Sequence, residues 1–165
     1  MMKVRDKKDI RVKVGFIPRS NFDIKQYQKT QEMMNQIARD FDMDKLPRVV
    51  YTGRSNGHIE GFRCNVKSLR EVQVMNNKYY IFNLAEALGY IQLHRTREIR
   101  IMSERGIEMM AIGYAVAFCK RLAEREQDTD YMQMLPPEIL EEGEISLELS
   151  QYIEHMEELY EMQEA

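Results

Sequence analysis

Apolar residues recur every three or four positions in four segments of the chain, which predicts four amphipathic helices. The segments cover residues 23–41, 78–94, 104–124 and 146–162. In the second of them, Ile81, Leu84, Leu88 and Ile91 form the stripe that would face a core. The last segment carries a similar stripe, so it needs an apolar surface to pack against.

The chain between the first two helical segments alternates apolar and polar residues, which is typical of strands. The alternation predicts three strands within RVVYTG at 48–53, HIEGFRCNV at 58–66 and LREVQVM at 69–75. Because the strands are consecutive and the short link VKSL suits a hairpin, we expect a small, mostly antiparallel sheet packed on helices. The predicted fold class is therefore α+β.

Charge is distributed unevenly along the chain. Residues 126–165 hold 13 Asp or Glu and no Lys or Arg, whereas the remaining 125 residues hold 24 basic and 14 acidic side chains, a net charge of +10. We therefore divide the chain into a basic N-terminal arm or strand (1–22), an α+β domain (23–125) and an acidic linker with a C-terminal helix (126–165).

Several classes of protein are disfavoured by the sequence. No apolar run approaches the ~20 residues of a membrane span, and the N-terminus is charged from Lys3 onward, so we expect no membrane segment and no signal peptide. Cys64 and Cys119 lack metal-ligand spacing and fit a reducing cytoplasm. Neither a phosphate-binding GK[ST] loop nor a Gly-x-Ser-x-Gly elbow is present.

The stretch FNLAEALGYIQLHR at 82–95 has the rhythm of a zinc-peptidase helix. In an HExxH site, two histidines one helical turn apart share a zinc ion, and the glutamate beside the first histidine acts as general base. Here Ala85 and Tyr90 stand where imidazoles are needed, and only Glu86 remains. A methyl group and a phenol do not replace two neutral imidazoles, so we expect no metal and no cofactor.

Residues 25–122 resemble the zincin-like domain of the IrrE/ImmA-type metallopeptidases of phages and mobile elements. GYIQLH at 89–94 follows the family outline Gly-His-x-x-Leu-His except at Tyr90, and EMMAIGYA at 108–115 is similar to Glu-x-Glu-Ala-x-x-Phe-Ala, with Met110 at the ligand position. The resemblance implies a helix, a small sheet, the motif helix and a helix bearing the third ligand. The alternative is an ordinary amphipathic helix in an unrelated α+β domain.

The same resemblance implies a vestigial site in which all three zinc ligands are replaced. Its residues would be Ala85, Glu86, Tyr90, His94 and Met110. His94 lies eight residues from Glu86, about 12 Å along a helix, so these two side chains are too far apart to share one ion. We therefore expect no catalytic residue, and Glu86 would act as a base only in a hydrolase with unconventional ligands.

Basic residues cluster around the end of the motif helix. Arg95, Arg97, Arg100 and Arg105 form a basic face that either binds phosphate groups or serves as a solvated surface and a dock for the acidic tail. The sequence contains no zinc finger and no aromatic stacking platform that would indicate sequence-specific contact with nucleic acid.

The acidic tail contains more than charge. Leu149, Ile153, Met156 and Tyr160 form an apolar stripe along its predicted helix. Simple masking of a basic surface does not require such a stripe, so we expect it to bind a partner protein.

Three functions are consistent with these patterns. The favoured one is a metal-free, non-catalytic zincin-like protein that binds a host or regulatory protein, as a phage or mobile-element regulator or inhibitor in the host cytoplasm. The second is a nucleic-acid-associated protein with an autoinhibitory acidic tail. The third is a metallopeptidase-like hydrolase with unconventional ligands, which the loss of three ligands disfavours.

Overall fold

The computed structural model describes residues 21–52, 61–64, 69–96, 102–126 and 130–164. In these ranges one α-helix precedes a run of three short strands, and three α-helices follow it. Helix α1 spans Asn21–Asp40 and is followed by strands β1 (Arg48–Thr52), β2 (Phe62–Cys64) and β3 (Glu71–Met75). The remaining elements are α2 (Tyr80–Arg95), α3 (Glu104–Glu126), two 3-10 turns (Tyr131–Met134 and Pro137–Ile139) and α4 (Leu147–Glu164). The prediction of an α+β fold is confirmed. The predicted N-terminal arm lies outside the described residues, except that α1 begins at Asn21.

The three strands form a mixed sheet in the order β1-β3-β2. Strand β2 pairs antiparallel with β3, from Phe62 opposite Val74 to Cys64 opposite Val72. Strand β1 pairs with the other edge of β3 in parallel, with Val49 opposite Val72. The parallel pairing is the longer of the two, so the expectation of a mostly antiparallel sheet is wrong. Strand β3 lies between β1 and β2 and pairs with both, so β1 and β2 do not pair with each other.

One face of the sheet packs on α2. Val49, Val72 and Val74 are fully buried, whereas Glu71 and Gln73 alternate with them on the more open face. Helix α2 buries most of its length between the sheet and α3, which explains why its sequence is apolar on more than one side. Residues 41–46 close the other end of α2, where the Gln92 side-chain amide donates to the carbonyl of Phe41 at 3.1 Å.

Side-chain caps define where two of the helices begin. The Ser103 hydroxyl accepts a hydrogen bond from the Gly106 amide at 3.0 Å, at the start of α3. The Ser146 hydroxyl accepts from the Leu149 amide at 3.1 Å, at the start of α4. Serine before a helical apolar stripe is a start signal, and both helices begin at the residue after it. Along the described ranges, no helix combines the length and apolarity that a membrane crossing requires.

The acidic tail packs on the body of the protein. Leu149, Ile153 and Met156 belong to the main hydrophobic core and expose 1%, 6% and 1% of their surface. Leu135, between the two 3-10 turns, is buried in the same core. The prediction that this stripe binds a partner protein is wrong for Leu149, Ile153 and Met156, because their side chains are already buried where α4 packs on α3. The side chain of Tyr160 lies outside the described residues.

Candidate functional site

Three half-buried polar or aromatic side chains lie on the less buried face of α2. Glu86, Tyr90 and His94 are spaced at i, i+4 and i+8, which places them in one row along the helix. Asn83, one turn before Glu86, is buried, and its side-chain amide donates to the carbonyl of Met75 at 3.2 Å. Ala85 points to a different side and exposes 0% of its surface. Ala85 and Tyr90 are five residues apart, whereas the two histidines of an HExxH helix are four apart. The i, i+4 pairs in this row are Glu86 with Tyr90 and Tyr90 with His94, and the fully buried Ala85 belongs to neither, so its assignment to the vestigial site is wrong.

Tyr90 stands at the centre of an aromatic row that joins β2 to α2. Its ring centroid lies 5.3 Å from that of Phe62 and 4.4 Å from that of His94, with tilted planes at both contacts. Such tilted arrangements suit the quadrupoles of aromatic rings. All three side chains are half-buried, so the row is fixed by packing and still offers ring surface to solvent.

Carboxylates from the first turns of α3 act electrostatically on Tyr90. Burial raises the pKa of the Tyr90 phenol, and the neighbouring Cys64, Glu108 and Glu104 raise it further. Glu104 and Glu108 are one helical turn apart and both are exposed. The phenol of Tyr90 therefore remains protonated and can donate a hydrogen bond.

Met110 lies one helical turn before Tyr114, the α3 residue that packs against Gly89 of α2. Its side chain is half-buried against the hydrophobic core. The expectation that Met110 belongs to the vestigial site stays a prediction.

Gly61 allows the strand to approach α2 closely. A methyl group built on Gly61 would lie 3.1 Å from Oδ1 of Asn83 and 3.3 Å from Oε1 of Glu86, and its φ of +69° disfavours any other residue. The Gly61 carbonyl accepts a hydrogen bond from the Met75 amide at 2.7 Å, which holds this residue beside β3. The carboxylate of Glu86 is thereby held next to the start of β2.

His94 is a neutral residue at the other end of the row. Its Nε2 atom is buried and has no hydrogen-bond partner among the described residues. Burial lowers the pKa of the His94 imidazole, so the ring is neutral at neutral pH.

We call Phe62, Glu86, Tyr90, His94, Glu104 and Glu108 the aromatic–carboxylate patch. Within the part of the chain that the structure describes, no three His, Cys, Asp or Glu side chains are grouped so that they could hold a metal ion. Sequence reasoning missed Phe62, Glu104 and Glu108. The i, i+4 spacing of the two glutamates was visible in the sequence, but nothing in it showed that they act on Tyr90.

Two members of the predicted basic face make internal contacts. The Arg95 guanidinium donates to the carbonyls of Lys45 and Leu69, the latter at 3.2 Å. Arg105 donates to both carboxylate oxygens of Glu148 in α4, at 3.0 and 2.8 Å. Arg97 and Arg100 lie outside the described residues. Arg95 therefore braces two loops, and Arg105 docks the tail.

Comparison of the chain with protein-family models, with curated proteins and with solved structures gave no match.

Proposed function

We propose that this chain is a non-catalytic protein that binds another protein through the aromatic–carboxylate patch. The observation that carries the proposal is the position of Tyr90, whose ring packs between Phe62 and His94. A half-buried tyrosine held by packing loses little entropy on binding, and tyrosine is enriched among the residues that dominate protein interfaces.

We also propose that the chain folds as a metal-free zincin-like domain. Its support is the order of elements, which is a helix, a small sheet, the motif helix and a further helix. The motif helix also contacts the helix that would carry the third ligand, since a methyl group at Gly89 would lie 2.9 Å from Cβ of Tyr114. In such a domain, Tyr90 fills the space that a second imidazole would need.

Binding accounts for the patch better than catalysis does. Glu86 offers a carboxylate, but a general base needs a polarised water or an electrophile within reach. The Tyr90 phenol keeps its proton, and the nearby Cys64 thiol also has a raised pKa because it is partly buried. These groups favour stable contacts over proton or acyl transfer.

A second candidate is a nucleic-acid-associated protein whose tail masks its basic surface. Two ion pairs between the tail and α3 favour it, Arg105 with Glu148 at 2.8 Å and Lys120 with Glu157 at 3.0 Å. Exposed pairs of this kind are weak and are screened by salt, so added nucleic acid could compete for them.

One experiment separates the two candidates. Tagged full-length chain is used to capture proteins from a lysate of the organism that carries the gene, with and without nuclease, beside Tyr90→Ala and Tyr131→Ala. A specific protein that is retained after nuclease, lost with Tyr90→Ala and kept with Tyr131→Ala supports the patch. Equal capture by both variants refutes it. Capture that disappears on nuclease treatment favours the nucleic-acid candidate. Melting curves confirm that both variants fold.

A further inference from the structure

The outward face of α4 carries a second surface, separate from the patch. Its residues are spaced alternately by four and three positions, which places them in one row along the helix that we call the seam. All are exposed. They are Leu147, Gln151, Glu154, Glu158 and Glu161.

Two exposed apolar side chains bracket this seam. Leu147 exposes 80% of its surface and Met162 exposes 73%, and they are the large hydrophobic side chains that stand out as exposed in the described ranges. They lie 15 residues apart in one helix, or about 22 Å along its axis. Single exposed apolar residues are ordinary, but these two stand at the two ends of a row of carboxylates.

The carboxylates of the seam point away from the body. The ion pairs that fasten α4 to α3 use Glu148 and Glu157. In contrast, no hydrogen bond or ion pair connects Glu154, Glu158 or Glu161 to another described residue. Since residues 126–165 contain no Lys or Arg, these charges have no basic neighbour in their own segment.

We propose that the outward face of α4 binds a lysine- or arginine-rich amphipathic helix of a partner protein. A straight row about 22 Å long fits a helix, the carboxylates fit basic side chains, and Leu147 and Met162 fit apolar residues near the two ends of a helix of similar length. Pairing with α4 of a second copy is disfavoured, because it would bring two acidic seams together. This surface does not depend on the aromatic–carboxylate patch, since α4 packs on α3 through Gly113 whereas α2 packs on α3 through Tyr114.

The test uses the full-length chain and a labelled helical peptide of about 18 residues, long enough to span the seam. The peptide carries lysines along one face and a leucine near each end. Its affinity is measured by fluorescence anisotropy. Glu154→Gln/Glu158→Gln/Glu161→Gln is expected to weaken binding about tenfold, through loss of three charge contacts. Leu147→Ser/Met162→Ser, which keeps the charge, is expected to weaken it about fivefold.

The matched control changes the same charge elsewhere in the tail. Glu141→Gln/Glu142→Gln/Glu144→Gln neutralises three carboxylates of the turn before α4 and is expected to alter the affinity by less than about twofold at physiological salt. The proposal is overturned if this control weakens binding as much as the seam variant, if Leu147→Ser/Met162→Ser binds normally, or if the full-length chain does not bind the peptide. Tyr90→Ala is expected to bind the peptide normally, so failure of the patch proposal is distinguishable from failure of this one.

Discussion

Gly113 of α3 lies directly against Tyr152 of α4. A methyl group built on Gly113 would lie 3.1 Å from Cβ of Tyr152 and 3.2 Å from its backbone carbonyl carbon. This is tighter than an ordinary van der Waals contact, so a side chain at residue 113 would require α4 to shift by a few tenths of an ångström. The backbone of α4, in the acidic tail, therefore packs directly against α3.

Gly113→Val should destabilise the protein by about 1–3 kcal/mol, because the added atoms push against backbone rather than against a movable side chain. Gly113→Ala should cost less, since its single methyl is offset by alanine's advantage over glycine of up to about 1 kcal/mol in a helix. Urea unfolding monitored by circular dichroism gives both values. A Gly113→Val protein as stable as wild type would mean that α4 does not pack at this position in solution.

The buried stripe of α4 should contribute to stability as core residues do. Leu149→Ala and Met156→Ala should each lower the free energy of unfolding by about 2–5 kcal/mol, because each leaves a cavity beneath the helix. Leu147→Ala, in the same helix but 80% exposed, should change it by less than about 0.5 kcal/mol. If all three variants unfold at the same urea concentration, the tail is detached in solution.

Stability should depend on pH through His94. Burial lowers the folded-state pKa of this imidazole below its ordinary value of 6.5, so the unfolded chain binds the proton more readily. The His94 contribution is therefore unchanged above pH 6.5 and becomes destabilising as the pH falls from 6.5 towards the folded-state pKa. His94→Phe keeps a ring beside Tyr90 and removes the titration. Its stability relative to wild type should rise between pH 7.5 and pH 5.5, and a constant difference in urea unfolding would contradict this.

The two cysteines should differ in reactivity. Burial raises the pKa of the Cys119 thiol to about 12, whereas Cys64 is only partly buried. The thiolate is the reactive form, so a disulfide reagent at pH 8 should modify Cys64 in the native protein and reach Cys119 only on unfolding. The count of released chromophore gives the answer, and Cys64→Ser should abolish the native reaction. Rapid native modification of two thiols would show that α3 opens readily.

The wild-type protein should contain no stoichiometric zinc, and chelator should leave its melting temperature unchanged. Conversely, two histidines introduced at i and i+4 on α2 should create a zinc site. Glu86→His/Tyr90→His should bind zinc more tightly than Ala85→His/Tyr90→His, because its two imidazoles share one face of the helix. Elemental analysis and competition with a zinc indicator measure both. One zinc per wild-type chain would revive the hydrolase hypothesis.

The helices were predictable because their apolar spacing is strong and local. The helix predicted at 78–94 spans Tyr80–Arg95 in the structure, and the helix predicted at 146–162 spans Leu147–Glu164. The pairing of strands was not predictable, since alternation at Val72 and Val74 is the same whether β3 is an edge strand or the central one. Which strand takes the centre depends on contacts between distant segments.

The site was predicted with less success, for reasons of helix geometry. The motif comparison placed Tyr90 and His94 in one region, and the structure puts both in the aromatic row. It also counted Ala85, although a shift of one residue along a helix turns a side chain by about 100° and here moves it into the core. The tail stripe was recognised as apolar, but the sequence does not state whether its partner is another protein or α3.

The mixed sheet has a consequence for the order in which the chain folds. Phe62 pairs with Val74, 12 residues later, whereas Arg48 pairs with Glu71, 23 residues later and in parallel. Closing the longer loop costs more entropy, by about 0.6 kcal/mol for a doubling of length, and a parallel partner cannot be added through a tight turn. We expect β2 and β3 to associate first and β1 to join them late. The amide hydrogens of β1 should then exchange with solvent sooner than those of β3, which makes the parallel edge the place where the native protein first opens.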